Sequence, residues 1–140
     1  MLEVKFHQQA EDCSLRFAVI AARYKGQWVF CKHKDRQTLE CPGGHREPLE
    51  PIEETARREL WEETGAVDFT LHQICPYSVQ TDTQETYGML FFADIQAFGE
   101  LPALEIEKIV LSESLPEAWT YPLIQPKLLQ RAWQSVSIKN

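Results

Sequence analysis

The chain predicts an α/β sandwich folded as one domain over residues 1–140, on three observations. Apolar, strand-like runs stand on both sides of a strongly helical segment. No stretch repeats, falls to low complexity or reads as a linker. A length of 140 residues, with 44% hydrophobic and 25% charged side chains, suffices to bury one core of mixed aliphatic and aromatic groups.

Taken in order, "LRFAVIAA" and "WVFCKH" are two apolar runs separated by "RYKGQ", whose Gly26 suits a turn, so they predict a hairpin. "LECPGG" ends a short extended piece in a Pro-Gly-Gly break, where the missing side chains let the backbone approach a ligand. From Pro51 to Thr64 the pattern is helical. Pro51 suits the first helical position, good helix formers follow, and Gly65 sits where a helix stops. "FTLHQICPYSVQ", "TYGMLFFADI" and the shorter "IEKIVL" read as strands, with Pro76 marking a bulge or edge position in the first. The tail from about Tyr121 to Ser135 predicts a second helix whose apolar side is Leu128, Leu129, Ala132 and Trp133.

A net charge of −7 argues against a nucleic-acid polymer or an anionic membrane as partner. Cys13, Cys31, Cys41 and Cys75 lack the CxxC pairs of a zinc site and the density of a disulfide scaffold, which predicts buried or partly buried free thiols in a reducing compartment. Met1 to Cys13 carries acids and no apolar core, unlike a signal peptide, and the apolar runs are too short to span a bilayer. Cytoplasm is the default expectation, with monomer and homodimer both open.

The helix poses the chemical question. At about 100° per residue, Glu59, Glu62 and Glu63 share one arc of roughly 100°, with Ala56 and Leu60 immediately beside it. Glu53, Glu54, Arg57 and Trp61 point the other way. Carboxylates that adjoin a core must be compensated, and the one local cation, Arg58, is placed for a single i,i+4 pair with Glu62. Either the helix is simply a solvated one laced with Glu/Arg pairs, or a hard divalent cation, Mg²⁺ or Mn²⁺, joins the acids.

Gly44, Glu50, Arg58, Glu59, Leu60, Glu62, Glu63 and Gly65 fall in a register that resembles the Nudix box, and "LECPGG" is similar to that family's usual approach to it. Two positions depart. The last box position is Ala66, with Val67 next door to supply the bulk, and the common Gly-Glu step before the helix is replaced by Leu49-Glu50-Pro51. "EPLE" and "KHKDR" resemble a bacterial branch of oxidised-purine nucleoside triphosphatases. The resemblance implies a Nudix α/β/α sandwich with a mixed sheet. It also implies Mg²⁺-dependent cleavage, Mn²⁺ being possible, of a nucleoside triphosphate to monophosphate and pyrophosphate, with 8-oxo-dGTP the leading candidate. A Nudix hydrolase of another nucleoside diphosphate derivative, or a catalytically silent module that binds a nucleotide, stays open.

Residue by residue, the resemblance implies that Glu59, Glu62 and Glu63, with the Gly43 carbonyl, hold the metal, that Arg58 orients a carboxylate, and that Glu59 is the base. Gly44 leaves room for phosphate. Lys32, His33, Lys34 and Arg36 end a predicted strand just before the glycines, where one of them could grip the polyphosphate. Glu105 and Glu107, with Glu85 third, are candidates for a further acid. Thr81 to Gln84 shows neither the Pro nor the Tyr usual in the ADP-ribose and diadenosine-polyphosphate branches, which demotes those substrates. Tyr77, Tyr87, Phe91 and Trp119 are either core or a stacking surface for a base.

Overall fold

A computed structural model describes residues 1–137. Its central strand is β2 (Leu15–Tyr24), numbered after a short first strand, β1 (Glu3–Phe6). Ala18, Ile20, Ala21 and Ala22 on β2 are all buried, so its apolar run does not alternate: both faces of the strand are covered. β3 (Gln27–His33) returns from β2 through a two-residue turn, as the sequence predicts. The pairing then fails. Only Arg23–Trp28 and Tyr24–Gln27 face each other, and beyond them β4 (Gly43–His45) takes the place of β3 beside Phe17 to Val19. The Pro-Gly-Gly break therefore enters the sheet as a strand of its own.

Helix α1 (Ile52–Thr64) follows, then β5 (Ala66–Gln80), β6 (Glu85–Phe98), β7 (Ile106–Ser112) and helix α2 (Gln125–Ser137). The sheet order is β1-β5-β6-β2-β3-β7, with β4 on β2. β2 and β6 run parallel, Leu15 opposite Tyr87 and Tyr24 opposite Ile95, and every other pair is antiparallel, which makes the sheet mixed. β1 joins only the last part of β5, Glu3 opposite Gln80 and Phe6 opposite Tyr77.

One helix covers each face. Ile52, Ala56 and Leu60 of α1 pack with Ile20, Val29 and Phe91 in one apolar cluster. Leu128, Leu129 and Ala132 of α2 pack with Phe30, Leu90 and Phe92 in the other. The result is the expected three-layer α/β/α sandwich. Gly65 ends α1 in the left-handed conformation, φ 78°, its N–H donating to the Trp61 carbonyl at 2.8 Å.

Several details differ from expectation. Pro51 precedes the helix instead of starting it, because its ψ of 143° is extended; its carbonyl still accepts the Thr55 N–H at 3.1 Å. α2 begins at Gln125 and not Tyr121, and Trp133 is half-exposed, edge-on to Trp28 with ring centres 5.8 Å apart. Ala66 is buried while Val67 faces out, so the neighbour does not supply the missing bulk. Cys13 is exposed; Cys31, Cys41 and Cys75 are buried, and all four are free. Pro76 follows a register shift between Gln73 and Cys75, in keeping with a bulge. Among the described residues no helix is long and apolar enough to cross a membrane.

Candidate active site

Where β3 parts from β2, a cleft of about 680 Å³ opens, lined by Val19, His33, Glu40, the β4 glycines and the inner side of α1. Close approach of backbone requires the first glycine, and the second has an acid laid on it. A Cβ on Gly43 would strike the Ala18 carbonyl, and a Cβ on Gly44 would overlap the Glu59 carboxylate. The glycines thus bring an acid of α1 directly against β4.

Arg58 locks this arrangement. Its Nε and Nη2 donate to the two oxygens of Glu50 at 2.8 and 3.0 Å, and Nη2 also donates to the His45 carbonyl at 3.0 Å. Glu50 accepts further bonds from Thr55 Oγ1 at 2.7 Å and from the Glu47 N–H at 3.1 Å. The Arg58 hydrogen bond, more than any other influence, holds the Glu50 carboxyl down to about 2. The expected pair with Glu62 exists, Nη1 to Oε2 at 3.3 Å, as does one with Glu59 at 3.4 Å, but both are secondary to Glu50.

Glu59 and Glu63 lack such compensation. Burial pushes Glu59 up to about 7, Arg58 opposing and Glu62 adding repulsion. Glu63, 9% exposed, accepts the Gly43 N–H at 2.9 Å, yet burial and the neighbouring charges of Glu59, Glu40 and Glu105 drive it up to about 8. Two buried acids without a dedicated cationic partner, the more exposed Glu62 and the Gly43 backbone form a set of hard oxygen donors, the kind that Mg²⁺ or Mn²⁺ takes in exchange for the protons. Among the described residues no three His, Cys, Asp or Glu side chains already converge as a metal site, since Glu63 is turned to Gly43 and Glu59 to Arg58. The donor chemistry fits a hard divalent cation.

Of the basic residues, His33 and Arg36 line the cleft and Lys32 does not: its ammonium is held by Glu107 at 2.9 Å across the β3–β7 pair. That contact pairs the Lys32 ammonium with the Glu107 carboxylate, and neither residue lines the cleft. Glu105 does line the cleft, 3.9 Å from His33 Nδ1, while Glu85 is outside it and accepts from Ser78 Oγ. Tyr77 lines the cleft; Phe91 is core, Trp119 packs edge-on against Phe30, and Tyr87 lies beside His7.

Glu40 escaped the sequence reading. Buried to 6% exposure, it accepts from Arg36 Nη1 at 3.0 Å and meets His33 Nε2 at 2.6 Å. The available signal was a lone carboxylate between Leu39 and Cys41, which needs partners wherever it is buried.

This sandwich, with its clamped and acid-rich helix beside a glycine-walled cleft, is that of the NUDIX domain, whose family model matches residues 14–131. The chain belongs to the Nudix family, whose hydrolases act on pyrophosphate bonds and generally use divalent metal ions. It is 33% identical over 117 residues to YtkD of Bacillus subtilis, a protein provisionally assigned as an 8-oxo-dGTP diphosphatase; the match spans 83% of this chain and 73% of that one. A mutant of the pyrophosphohydrolase BsRppH from Bacillus subtilis superposes with a TM-score of 0.79 at 29% identity, over 96% of this chain and 90% of the other. The NUDIX domain of Shewanella oneidensis NrtR, solved with ADP ribose, superposes with a TM-score of 0.67 at 13% identity over 88% of each chain and shares the fold alone.

Proposed function

We propose that the chain is a Mg²⁺-dependent pyrophosphohydrolase that cleaves a nucleoside triphosphate to nucleoside monophosphate and pyrophosphate, with 8-oxo-dGTP the leading substrate. The observation that carries this reading is the burial of Glu59 and Glu63 beside the β4 glycines, without a cation to match the one that Arg58 gives Glu50. The likeness to YtkD supports the choice of substrate. A module that only binds a nucleotide has no need to keep these acids uncompensated, which favours the enzyme over the silent binder.

Glu59, Glu62 and Glu63, with the Gly43 carbonyl, would hold the cation, Mn²⁺ being an alternative. When bound, the cation neutralises charge gathering on the phosphate oxygens. Glu59, kept ionised once the cation is bound, would take the proton of the attacking water. Arg58, itself fixed by Glu50, holds the Glu59 and Glu62 carboxylates in place. Gly44 leaves space for the phosphates, and His33 and Arg36, which line the same cleft, would face the β- and γ-phosphates.

The protein with Mg²⁺ and a panel of 8-oxo-dGTP, dGTP, ATP and ADP-ribose, its products separated by chromatography, tests this. Monophosphate and pyrophosphate in equal amounts, with the highest kcat/KM on 8-oxo-dGTP, are expected. Orthophosphate with nucleoside diphosphate would place the cut at the β–γ bridge and refute the pose. No turnover of any member would favour the binding module.

A further inference from the structure

The cleft has two chemically different ends. Opposite the acids of α1 lies a mostly apolar end walled by β5 and the start of α2, with Tyr77, Val79, Ile124, Gln125 and Leu128 on its surface. Two of these carry polar ends although they are over nine-tenths buried: Gln125 is 6% exposed and Tyr77 4%.

Gln125 is held in one orientation. Its Oε1 accepts the backbone N–H of Cys41 at 2.7 Å. A backbone N–H can only donate, so oxygen is the end of the carboxamide that meets it, and Nε2 is the end left over. Neither Nε2 nor the Tyr77 hydroxyl has a hydrogen-bond partner among the described residues. No polar side-chain atom sealed from solvent goes unpaired among those residues, so both ends open onto the cleft. A donor that opens onto the cleft can take an acceptor from a ligand, and a ligand that excludes water there without supplying one leaves it unpaired at a cost in free energy.

We propose that Gln125 is a specificity residue for the nucleobase: its Nε2, fixed by the Cys41 backbone, donates to a ring carbonyl and selects keto bases over those with an amino group at the same edge. This rests on the nucleotide-hydrolase reading above and adds the chemical feature of the base that is recognised. Apolar walls suit the faces of a base, while the triphosphate belongs at the end where acids and a cation gather. An amino group would meet Nε2 donor to donor. The Tyr77 hydroxyl can donate or accept, so it leaves the choice to Gln125.

ITP and ATP test this, since they differ at the C6 edge, carbonyl against amine. With Mg²⁺, the wild-type protein should favour ITP by about tenfold or more in kcat/KM. Gln125→Glu keeps an oxygen for the Cys41 N–H and offers an acceptor to the base, so the ITP to ATP ratio should fall by about tenfold or invert. A purely structural role would lower both rates together; an unchanged ratio in a folded variant overturns the assignment. Should that variant fail to fold, equal efficiency of the wild type on ITP and ATP overturns it instead. The α,β-methylene analogues of both nucleotides separate the two readings. If neither analogue binds and neither nucleotide turns over, the hydrolase reading falls and Gln125 with it. Binding and turnover of both with equal efficiency remove only the Gln125 assignment.

Discussion

Glu63 and Glu59 set how the protein responds to pH. An unperturbed glutamate titrates near 4.5, whereas burial raises these two to about 8 and about 7 in the native state. Between those limits the native protein binds more protons than the unfolded chain. Stability is therefore fully present below about pH 4.5 and is lost as pH rises through 7 and 8. Urea unfolding in metal-free buffer should show the midpoint falling from pH 5 to pH 8, and Glu63→Gln should flatten that fall. The same substitution should lower Mg²⁺ affinity and turnover by at least about tenfold, because the charge that draws the cation is gone. A midpoint that rose over this range would mean that the acids are compensated after all. Glu40 and Gln125 were the residues hardest to read from sequence. Their partners are set by the tertiary fold, Gln125 meeting a backbone 84 positions away, and no local pattern encodes such a contact.

The turn into α1 carries a strain that the sequence half disclosed. Leu49 stands where the family commonly has glycine, and it adopts a left-handed conformation, φ 63°, with its side chain fully exposed. A left-handed L-residue costs about 1–2 kcal/mol, while glycine loses more freedom on folding by about 0.5–1 kcal/mol. Leu49→Gly should therefore stabilise the protein by about 0.5–1 kcal/mol, measured as a higher denaturant midpoint at unchanged slope. A lower midpoint would show that the leucine side chain contributes a contact of its own. α1 itself was legible because a proline at its edge, a helical period and a glycine stop coincide within one segment. β1 was not, since four half-covered residues give too little alternation to register and are ordered only by β5. The glycines of β4 read as a backbone open to a ligand and not as a strand, because they pair only where β3 has left β2 free.

For the molecule as a whole, the three-layer sandwich could be read from strands flanking a helix together with the resemblance to the Nudix box. The order of strands could not, because the apolar run of β2 says that both its faces are buried without saying which strand lies beside it. Its neighbour is β6, from which it is separated in sequence by β3, β4, α1 and β5. That parallel pairing has a kinetic consequence. β5 and β6 are joined by the short turn at Thr81 to Gln84 and can pair early, whereas β2 must close a loop running from Leu15 to Tyr87 before its hydrogen bonds to β6 form. Because β4 and the cleft wall are laid on β2, the proposed nucleotide site is expected to be among the last parts to assemble. Pulsed hydrogen exchange during refolding should show β5 and β6 amides protected before nucleotide binding returns. Recovery of binding in step with the first protected amides would reverse that order, and a strand far in sequence from its parallel partner would then be one of the first to dock.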